Sequence, residues 1–565
     1  MPEGIGSGFT PVATPADATA LLIQNNGSHG DLPPGSSPCT LPQQTVHPLL
    51  MAVGPERGGR IGEWMGLQRQ GTWGDTSLVA HPPQVRMAGS DRSSLASAPP
   101  APRASQPLPF ASPEQLDPAL QNFLEQASRQ LCGWLGTAVQ RSPLPGLSML
   151  PAVEPQLQGL APEALLADLQ VVMDGAYNPN HPGALAHLDP PPVGASLAAD
   201  LVCAGLNNNL LAEELSPSLT RLERSLTAWL AERLGLPLGS GGVAASGGTL
   251  SNLMALVTAR RNRGLATASD AVVVASADAH VSLAKALAVM GLPPEALRLI
   301  AVDADGRLEL PALEDALASL ERSGRPVIAV VATAGTTVRG AVDPLAGMAQ
   351  ICRRRGLWLH VDGAIGAVFG LIEAHRSRVA GLELADSITI NPQKLLGITK
   401  TSSLLLLAKP QALAEAFHTG LPYMEPSWGG GHGGESGLQG TRPAEILKLW
   451  LGLRQLGLDG IEAVLDGAIA RRRQLRGLLA TQDRLQLRSG AFHLLAFTPA
   501  GLDAAGAEAW SQNTRQLLLQ QQLMLSRPHY AGRHHLKAVL GNPHTRSCHL
   551  DTLAGVVQSS LEQLP

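Results

Sequence analysis

The chain has 565 residues, of which 44% are hydrophobic and 16% charged, so it is long enough to form two or three globular domains around a large buried core. Its formal net charge of -4 excludes a global basic field that would bind nucleic acid or an anionic membrane surface. The 5 cysteines are scattered and lack the close pairs of a disulfide scaffold or a zinc site, so we expect no metal centre and a reducing, cytoplasmic environment.

The amino-terminal segment differs in composition from the rest of the chain. Residues 1–110 are rich in proline, glycine and serine and show no helical or strand period. We expect either a disordered tail or a translated leader upstream of the true start. The segment has no signal-peptide pattern, and the most apolar run of the chain, at 403–408, is far shorter than the roughly 20 residues of a membrane span. The sequence therefore predicts a soluble protein.

Hydrophobic periodicity divides the remainder into three segments. An amino-terminal helical segment at 111–176 contains predicted helices at 115–139 and 162–173. Strand-like runs then alternate with helical stretches, which is typical of a large, mostly parallel α/β domain at 177–440. We place a helix at 219–234 and strands at 271–276, 299–302, 326–332, 357–361, 387–390 and 403–407. A smaller α+β domain at 441–565 would contain helices at 443–456, 459–479 and 549–561 and a strand at 492–497.

A glycine-rich turn at 246–252, just before a helix predicted at 253–261, is the first chemical motif. Glycines let the backbone approach an anion, and the free amides at a helix start carry partial positive charge. The side chains of Thr249 and Asn252 add hydrogen-bond donors next to Gly248. The turn is therefore a candidate phosphate site, although a plain strand-to-helix connection is an equally ordinary use of such a sequence.

Three polar residues follow predicted strands, at the edge where open α/β sheets bind ligands. His280 either lies in a solvated loop or stacks on a planar ring. Asp362 either caps the next helix or meets a cationic partner. Lys394 is either a surface lysine or an amine whose pKa falls as it loses hydration, which makes it a nucleophile toward an aldehyde. With the phosphate motif, these residues match what one aromatic aldehyde phosphate needs.

In this order, the motifs closely resemble those of the group II pyridoxal-phosphate-dependent decarboxylases, which act on glutamate, cysteine sulfinate, 2,4-diaminobutyrate or aromatic amino acids. The resemblance extends from about Tyr177 to Leu561 and includes 181–190, 246–252, 278–280, 360–364, 391–394 and 542–545. It implies the α/β aspartate-aminotransferase-like fold (fold type I), with a large cofactor domain and a small carboxyl-terminal domain. It also implies a homodimer that shares its active sites.

The resemblance assigns roles to individual residues. Lys394 would hold pyridoxal phosphate covalently, Asp362 would keep its ring nitrogen protonated, and His280 would stack on its ring. Further cofactor contacts are implied for Gly248, Thr249, Asn252, Thr336, Ala364, Ser387 and Gln393. His187 and Lys537 would bind the substrate. Tyr423 would return a proton to the substrate carbon, unless it is only a packing anchor in its loop.

Two departures from the family pattern bear on activity. Gln393 stands where the family usually has histidine, and an amide cannot carry a proton in acid–base steps. Lys537 stands where glutamate-like members have arginine, and lysine binds a carboxylate as a point charge only. We expect decarboxylation of an L-amino acid. The sequence at 391–397 resembles that of the members that act on acidic substrates and favours glutamate, aspartate or cysteine sulfinate. The alternatives are 2,4-diaminobutyrate, favoured by 247–256, another lyase or transferase reaction on this fold, or an inactive relative that binds the cofactor.

Overall fold

The structure, a computed structural model, describes residues 109–147, 149–424, 428 and 431–564. The predicted tail or leader at 1–110 therefore lies outside the described residues, apart from its last two positions. The α-helices are α1 Pro118–Gly136, α2 Pro162–Asp174, α3 Gly194–Leu206, α4 Pro217–Arg233, α5 Gly248–Asn262, α6 Ser282–Val289, α7 Leu310–Arg322, α8 Leu345–Arg355, α9 Glu373–Arg376, α10 Gln411–Phe417, α11 Ile446–Leu479, α12 Ala504–Gln520 and α13 Ser547–Glu562. No helix in these ranges is long and apolar enough to cross a membrane.

A seven-stranded sheet organises the larger part of the fold. Its strands are β1 Gly241–Ala245, β2 Val272–Ser276, β3 Leu297–Ile300, β4 Val327–Thr333, β5 Leu359–Asp362, β6 Ser387–Ile390 and β7 Ser403–Leu407. They lie in the order β1-β7-β6-β5-β4-β2-β3. Strand β7 runs antiparallel to both of its neighbours, and the other pairs are parallel. The parallel strands therefore end at one edge of the sheet, where ligands bind in such folds.

Both faces of this sheet are covered, as its composition requires. The strands β2 and β4 are fully buried runs of mostly valine and alanine, without the polar alternation of a strand that faces water on one side. Val272 and Val274 pack into one apolar cluster, whereas Val273 and Ala275 pack into another on the opposite face. Helices on each side also contribute residues to these clusters, so the sheet is the middle of three layers.

A second, antiparallel sheet lies in the carboxyl-terminal part. It contains β8 Leu485–Arg488, β9 Leu494–Pro499 and β12 Leu536–Val539 in the order β12-β9-β8. The short strands β10 His529–Tyr530 and β11 Arg533–His534 form a separate hairpin. Residues of α11, α12 and α13 join this sheet in one apolar cluster. Strand β12 also carries Lys537 toward the larger part of the fold.

The predicted α/β fold of the aspartate-aminotransferase type is confirmed in its architecture. Strands β6 and β7 begin and end at the predicted residues, and the boundaries of the other predicted strands shift by at most two positions. The sequence interpretation missed β1, whose Gly-Gly-Val-Ala-Ala sequence has low strand propensity and which forms by pairing with β7. The proposed domain boundaries near 176 and 440 stay a prediction.

Candidate active site

A cavity of about 220 Å³ opens at the carboxyl ends of β4, β5 and β6, beside the first turn of α5. It brings together eight of the residues selected from the sequence: Gly248, Thr249, Asn252, His280, Asp362, Ala364, Gln393 and Lys394. These residues are far apart along the chain and meet because neighbouring parallel strands end at the same edge of the sheet. The four sequence motifs therefore form one site.

The first turn of α5 forms one wall of the cavity. Gly247 has φ 130°, a conformation that side-chain-bearing residues avoid, and no side chain caps the helix. A Cβ on Gly248 would stand 3.0 Å from the Asn391 side-chain amide, so any larger residue would require Asn391 to move by a few tenths of an ångström. With its amide oriented to suit its neighbours, Asn391 accepts from Gly248 N at 3.2 Å. The uncapped turn and the Thr249 side chain provide a cradle for an anion.

Asp362 ends β5 and is only 6% exposed. Its Oδ2 accepts from Asn252 Nδ2 at 2.8 Å, and its Oδ1 accepts from Ala364 N at 3.2 Å. No cationic side chain among the described residues forms an ion pair with it. A buried carboxylate held by hydrogen bonds but lacking a counter-charge is suited to bind a cationic group of a ligand.

Lys394 lies in the short 3₁₀ helix Pro392–Lys394 that follows β6. Within the described ranges, its Nζ has no hydrogen bond or ion pair. Desolvation lowers the pKa of Lys394, and the nearby carboxylates of Asp362 and Asp189 partly oppose this shift. A lowered pKa increases the fraction of neutral amine, which is the nucleophilic form.

His280 and Gln393 complete the polar lining. Nδ1 of His280 accepts from Ser282 N at 3.2 Å, and burial lowers the pKa of the imidazole, so the ring is neutral at pH 7 with its hydrogen on Nε2. Oε1 of Gln393 accepts from Ser402 N, which leaves its amide hydrogens for other acceptors. The histidine thus presents a neutral flat ring, and the glutamine presents a donor.

Two predicted cofactor contacts lie outside the cavity lining, and a third is already engaged. Thr336 Oγ1 accepts from Ala341 N at 3.0 Å within its own turn. The Ser387 hydroxyl is buried beneath the site, bonded to Trp358 and His360. Asn252 lines the cavity, but both ends of its amide bond protein groups. The Ser387 hydroxyl and the Asn252 amide are therefore occupied by protein groups, whereas the hydroxyl hydrogen of Thr336 is not used in its bond to Ala341.

The remaining predicted residues do not line the cavity. Lys537 is buried on β12, and its Nζ donates to Thr337 O at 3.3 Å. His187 is exposed, and its ring meets that of Tyr177 edge-on at 6.4 Å. Tyr423 is 71% exposed and does not reach the cavity of its own chain.

The sequence interpretation missed several lining residues: Thr333, Gly335, Thr337, Ile365 and Asn391. Asn391 stands in the motif that contains Lys394, and Thr333 ends a predicted strand, so both positions carried a signal. For Thr336 and Thr337, adjacent residues of one turn, only the three-dimensional path of the backbone decides which side chain faces the cavity.

Comparison with known proteins places this site in a family. A family model described as the pyridoxal-dependent decarboxylase conserved domain matches residues 151–496. The L-2,4-diaminobutyrate decarboxylase of Rhizobium meliloti (strain 1021) is 33% identical over 436 residues, which cover 75% of this chain and 86% of that relative. The cysteine sulfinic acid decarboxylase of Rattus norvegicus is 31% identical over 365 residues, covering 62% of this chain and 72% of that relative.

Solved structures agree with the sequence relatives. The crystal structure of mouse CSAD in apo form matches with a TM-score of 0.72 at 25% identity, covering 79% of this chain and 100% of that one. The structure of Oryza sativa TDC with PLP and tryptamine has the same fold, with a TM-score of 0.74 at 21% identity over 80% of this chain and 99% of that one. The family match covers more than half of this chain and includes every residue that lines the cavity. This chain therefore belongs to the pyridoxal-dependent decarboxylase family and is a pyridoxal-phosphate-dependent amino-acid decarboxylase.

Proposed function

We propose that this enzyme removes the α-carboxylate of an L-amino acid with an acidic side chain, namely glutamate, aspartate or cysteine sulfinate. The observation that carries the proposal is the unpaired charge of Lys537. Its side chain is 7% exposed, and no acidic side chain of the described residues pairs with it. Burial, with a contribution from Lys394, lowers its pKa to about 8. A buried cation beside a second cation favours an anionic substrate group and disfavours an ammonium.

The residues around the cavity fit pyridoxal phosphate. The uncapped start of α5 suits the phosphate, and the unpaired Asp362 carboxylate suits a protonated ring nitrogen. The Thr333 hydroxyl is buried, lines the cavity and has no hydrogen-bond partner among the described residues, so it is available to a polar group of the ring. We assign the covalent link to Lys394, whose amine is free. Bound there, the cofactor supplies an electron sink for carbon dioxide loss.

The protein groups hold and orient the reacting molecule. We assign ring stacking to the neutral imidazole of His280 and a contact on the opposite side to Ala364. Gln393 donates its amide hydrogens to the phosphate or the substrate carboxylate, but it cannot exchange a proton. Lys537 fixes the acidic side chain near Thr337, and His187 lies at the approach to it.

We further propose that the protein acts as a homodimer and that Tyr423 protonates the substrate carbon in the cavity of the partner chain. Tyr423 does not line the cavity of its own chain, and its side chain is exposed and therefore accessible to a second chain. A phenol buried against a second chain can donate a proton from a site that excludes water.

2,4-Diaminobutyrate is the second candidate substrate, and two observations favour it. The relative from Rhizobium meliloti is named for that activity. Asp189 is near enough to Lys394 to raise its pKa and would attract a side-chain ammonium, although it already pairs with Lys400 at 2.7 Å. We rank this substrate second because the Asp189 charge is compensated and the Lys537 charge is not.

The test is release of carbon dioxide from a panel of glutamate, aspartate, cysteine sulfinate, 2,4-diaminobutyrate and aromatic amino acids. We expect turnover of one acidic substrate, with a KM that rises about 30-fold or more in Lys537→Met and much less in Lys537→Arg. Lys394→Ala, which removes the cofactor link, should release no carbon dioxide from any substrate. Preferred turnover of 2,4-diaminobutyrate, with a KM unchanged in Lys537→Met, would establish the second candidate instead.

A further inference from the structure

A continuous series of buried hydrogen bonds runs beneath the cavity and ends on Asp362. Trp358 Nε1 donates to Ser387 Oγ at 2.9 Å, and Ser387 Oγ lies 2.9 Å from His360 Nδ1. His360 Nε2 lies 3.1 Å from Asn252 Oδ1, and Asn252 Nδ2 donates to Asp362 Oδ2 at 2.8 Å. His360 and Asp362 belong to β5, Ser387 to β6 and Asn252 to α5, and Trp358 directly precedes β5, so the series joins three of the elements that build the site.

Only one arrangement of hydrogens satisfies all of these contacts. An ionised Asp362 can only accept, so Nδ2 of Asn252 must face it, and Oδ1 of Asn252 must face His360. His360 then carries its hydrogen on Nε2, and its Nδ1 accepts from the Ser387 hydroxyl. The Ser387 oxygen in turn accepts from Trp358, whose indole can only donate. Every donor in the series therefore points toward Asp362.

Two further bonds lock Asn252 in this orientation. Thr389 Oγ1 donates to Asn252 Oδ1 at 2.8 Å, and Asn252 Nδ2 also contacts Ser282 Oγ at 2.9 Å. Asn252, His360, Ser387 and Thr389 are all buried, so water does not compete for these groups. Burial lowers the pKa of His360 to about 4, which keeps the ring neutral and its single hydrogen on Nε2 at pH 7.

We propose that Asn252 is a positioning residue that, together with His360, holds the Asp362 carboxylate ionised and aimed at the ring nitrogen of the cofactor. Asn252 thus acts on the ring nitrogen through Asp362, and it does not bind the phosphate. This inference rests on the role proposed for Asp362 above. The proposal gives the buried hydrogen bonds beneath the cavity a function, which is to orient Asp362.

The test compares the affinity of the apoenzyme for pyridoxal phosphate and for its 1-deaza analogue, in which carbon replaces the ring nitrogen. Asn252→Leu preserves side-chain volume but removes both ends of the amide. We expect its affinity for pyridoxal phosphate to fall about tenfold, the typical effect of losing a hydrogen bond to a charged group, and its affinity for the analogue to change less than twofold. Equal weakening for both ligands would overturn the proposal, because a phosphate contact or a general packing role affects both alike.

Two control variants separate the possible failures. Ser251→Ala lies on the same helix and removes a buried bond to Ser403 outside the series, so the ratio of the two affinities should stay that of the parent. Asp362→Asn should abolish the preference for pyridoxal phosphate. If it does not, the role proposed for Asp362 is wrong regardless of Asn252. If Asp362→Asn abolishes the preference and Asn252→Leu does not reduce it, the present inference alone is wrong.

A second measurement is independent of variant folding at Asn252. Nitrogen-15 NMR of histidine-labelled apoenzyme reports which ring nitrogen carries hydrogen, and the His360 signals are identified by their loss in His360→Gln. We expect a protonated Nε2 and an unprotonated Nδ1 between pH 6 and pH 8. A hydrogen on Nδ1 would reverse the direction of the series and overturn the proposal.

Discussion

Three ionisable side chains in and beside the cavity have no ion-pair partner among the described residues: Asp362, Lys394 and Lys537. Withdrawing such charges from water costs several kcal/mol each unless a partner compensates for the loss. Asp362 raises the pKa of Lys394, whereas Lys394 lowers that of Lys537, so the three charges influence one another. The protonated ring nitrogen of a cofactor would pair with Asp362, and an anionic group of a substrate would pair with Lys537. These three charges support the proposal that an acidic substrate binds beside the cofactor.

A buried histidine outside the cavity makes folding sensitive to acid. Neither ring nitrogen of His493 has a hydrogen-bond partner among the described residues, and the ring is fully buried. Burial, with the nearby cations Arg471, Lys537 and Arg472, lowers its pKa to about 3. Because the folded-state pKa lies below the ordinary value of about 6.5, the unfolded chain binds the proton more tightly. The neutral ring therefore stabilises the folded state fully above pH 6.5, and this stabilisation declines as the pH falls from 6.5 toward 3.

Replacing His493 by leucine should remove this sensitivity. We expect the difference in the free energy of unfolding, His493→Leu minus parent, to be about 2 kcal/mol larger at pH 5 than at pH 7.5. The reason is that the parent loses about 1.4 kcal/mol of stability for each pH unit below 6.5. Urea unfolding at the two pH values measures the difference. Leu494→Ala, at a buried neighbour that does not titrate, should destabilise equally at both. If the difference for His493→Leu does not depend on pH, the ring takes up no additional proton when the chain unfolds, and its folded-state pKa is not lowered.

At the scale of elements, the break in α11 depends on one backbone conformation. Gly457 has φ 62° and ψ 177° inside the helix, a region essentially reserved for glycine, and a Cβ there would meet nothing within 4 Å. Gly457→Ala should therefore lower the free energy of unfolding by about 1–3 kcal/mol through backbone strain alone. Gly477→Ala, in regular helix of the same element with equally open space, should instead stabilise by up to about 1 kcal/mol. Denaturant unfolding checks both, and similar effects at the two positions would contradict this account.

The same helix shows what a sequence can predict at this scale. The pattern ends one helix at 456 and starts another at 459, and the structure breaks at the glycine between them. Strand β7 is predicted well because four consecutive leucines, at 404–407, form an uninterrupted apolar run. Strand β1 and the choice of Thr337 over Thr336 were not predictable, because the first depends on a partner strand and the second on the direction of one turn. Asn252 was recognised as functional, but its bond to Asp362 needed the packed structure.

At the scale of the whole molecule, the amino-terminal helices expose apolar side chains that no other described residue covers. Helix α1 buries none of its residues, and Leu120 and Leu124 are exposed. Helix α3 packs one face against α11, while Leu201, Val202 and Leu206 on its other side are about half exposed. Exposed apolar surface of this extent on consecutive elements is typical of a protein–protein interface. It supports the proposed homodimer.

Mixing two inactive variants directly tests the proposed exchange of Tyr423 between chains. Lys394→Ala lacks the cofactor link, and Tyr423→Phe lacks the proposed proton donor. In a mixed dimer, the cavity that keeps Lys394 receives Tyr423 from the partner, so one of its two sites is intact. Random pairing makes half of the dimers mixed, and we expect about a quarter of the parent activity. Lys394→Ala mixed with Asp362→Asn should recover nothing, because each cavity of that mixed dimer keeps one defect of its own chain. No recovery in the first mixture, with dimers verified by sedimentation, would mean that Tyr423 serves its own chain or no cavity at all.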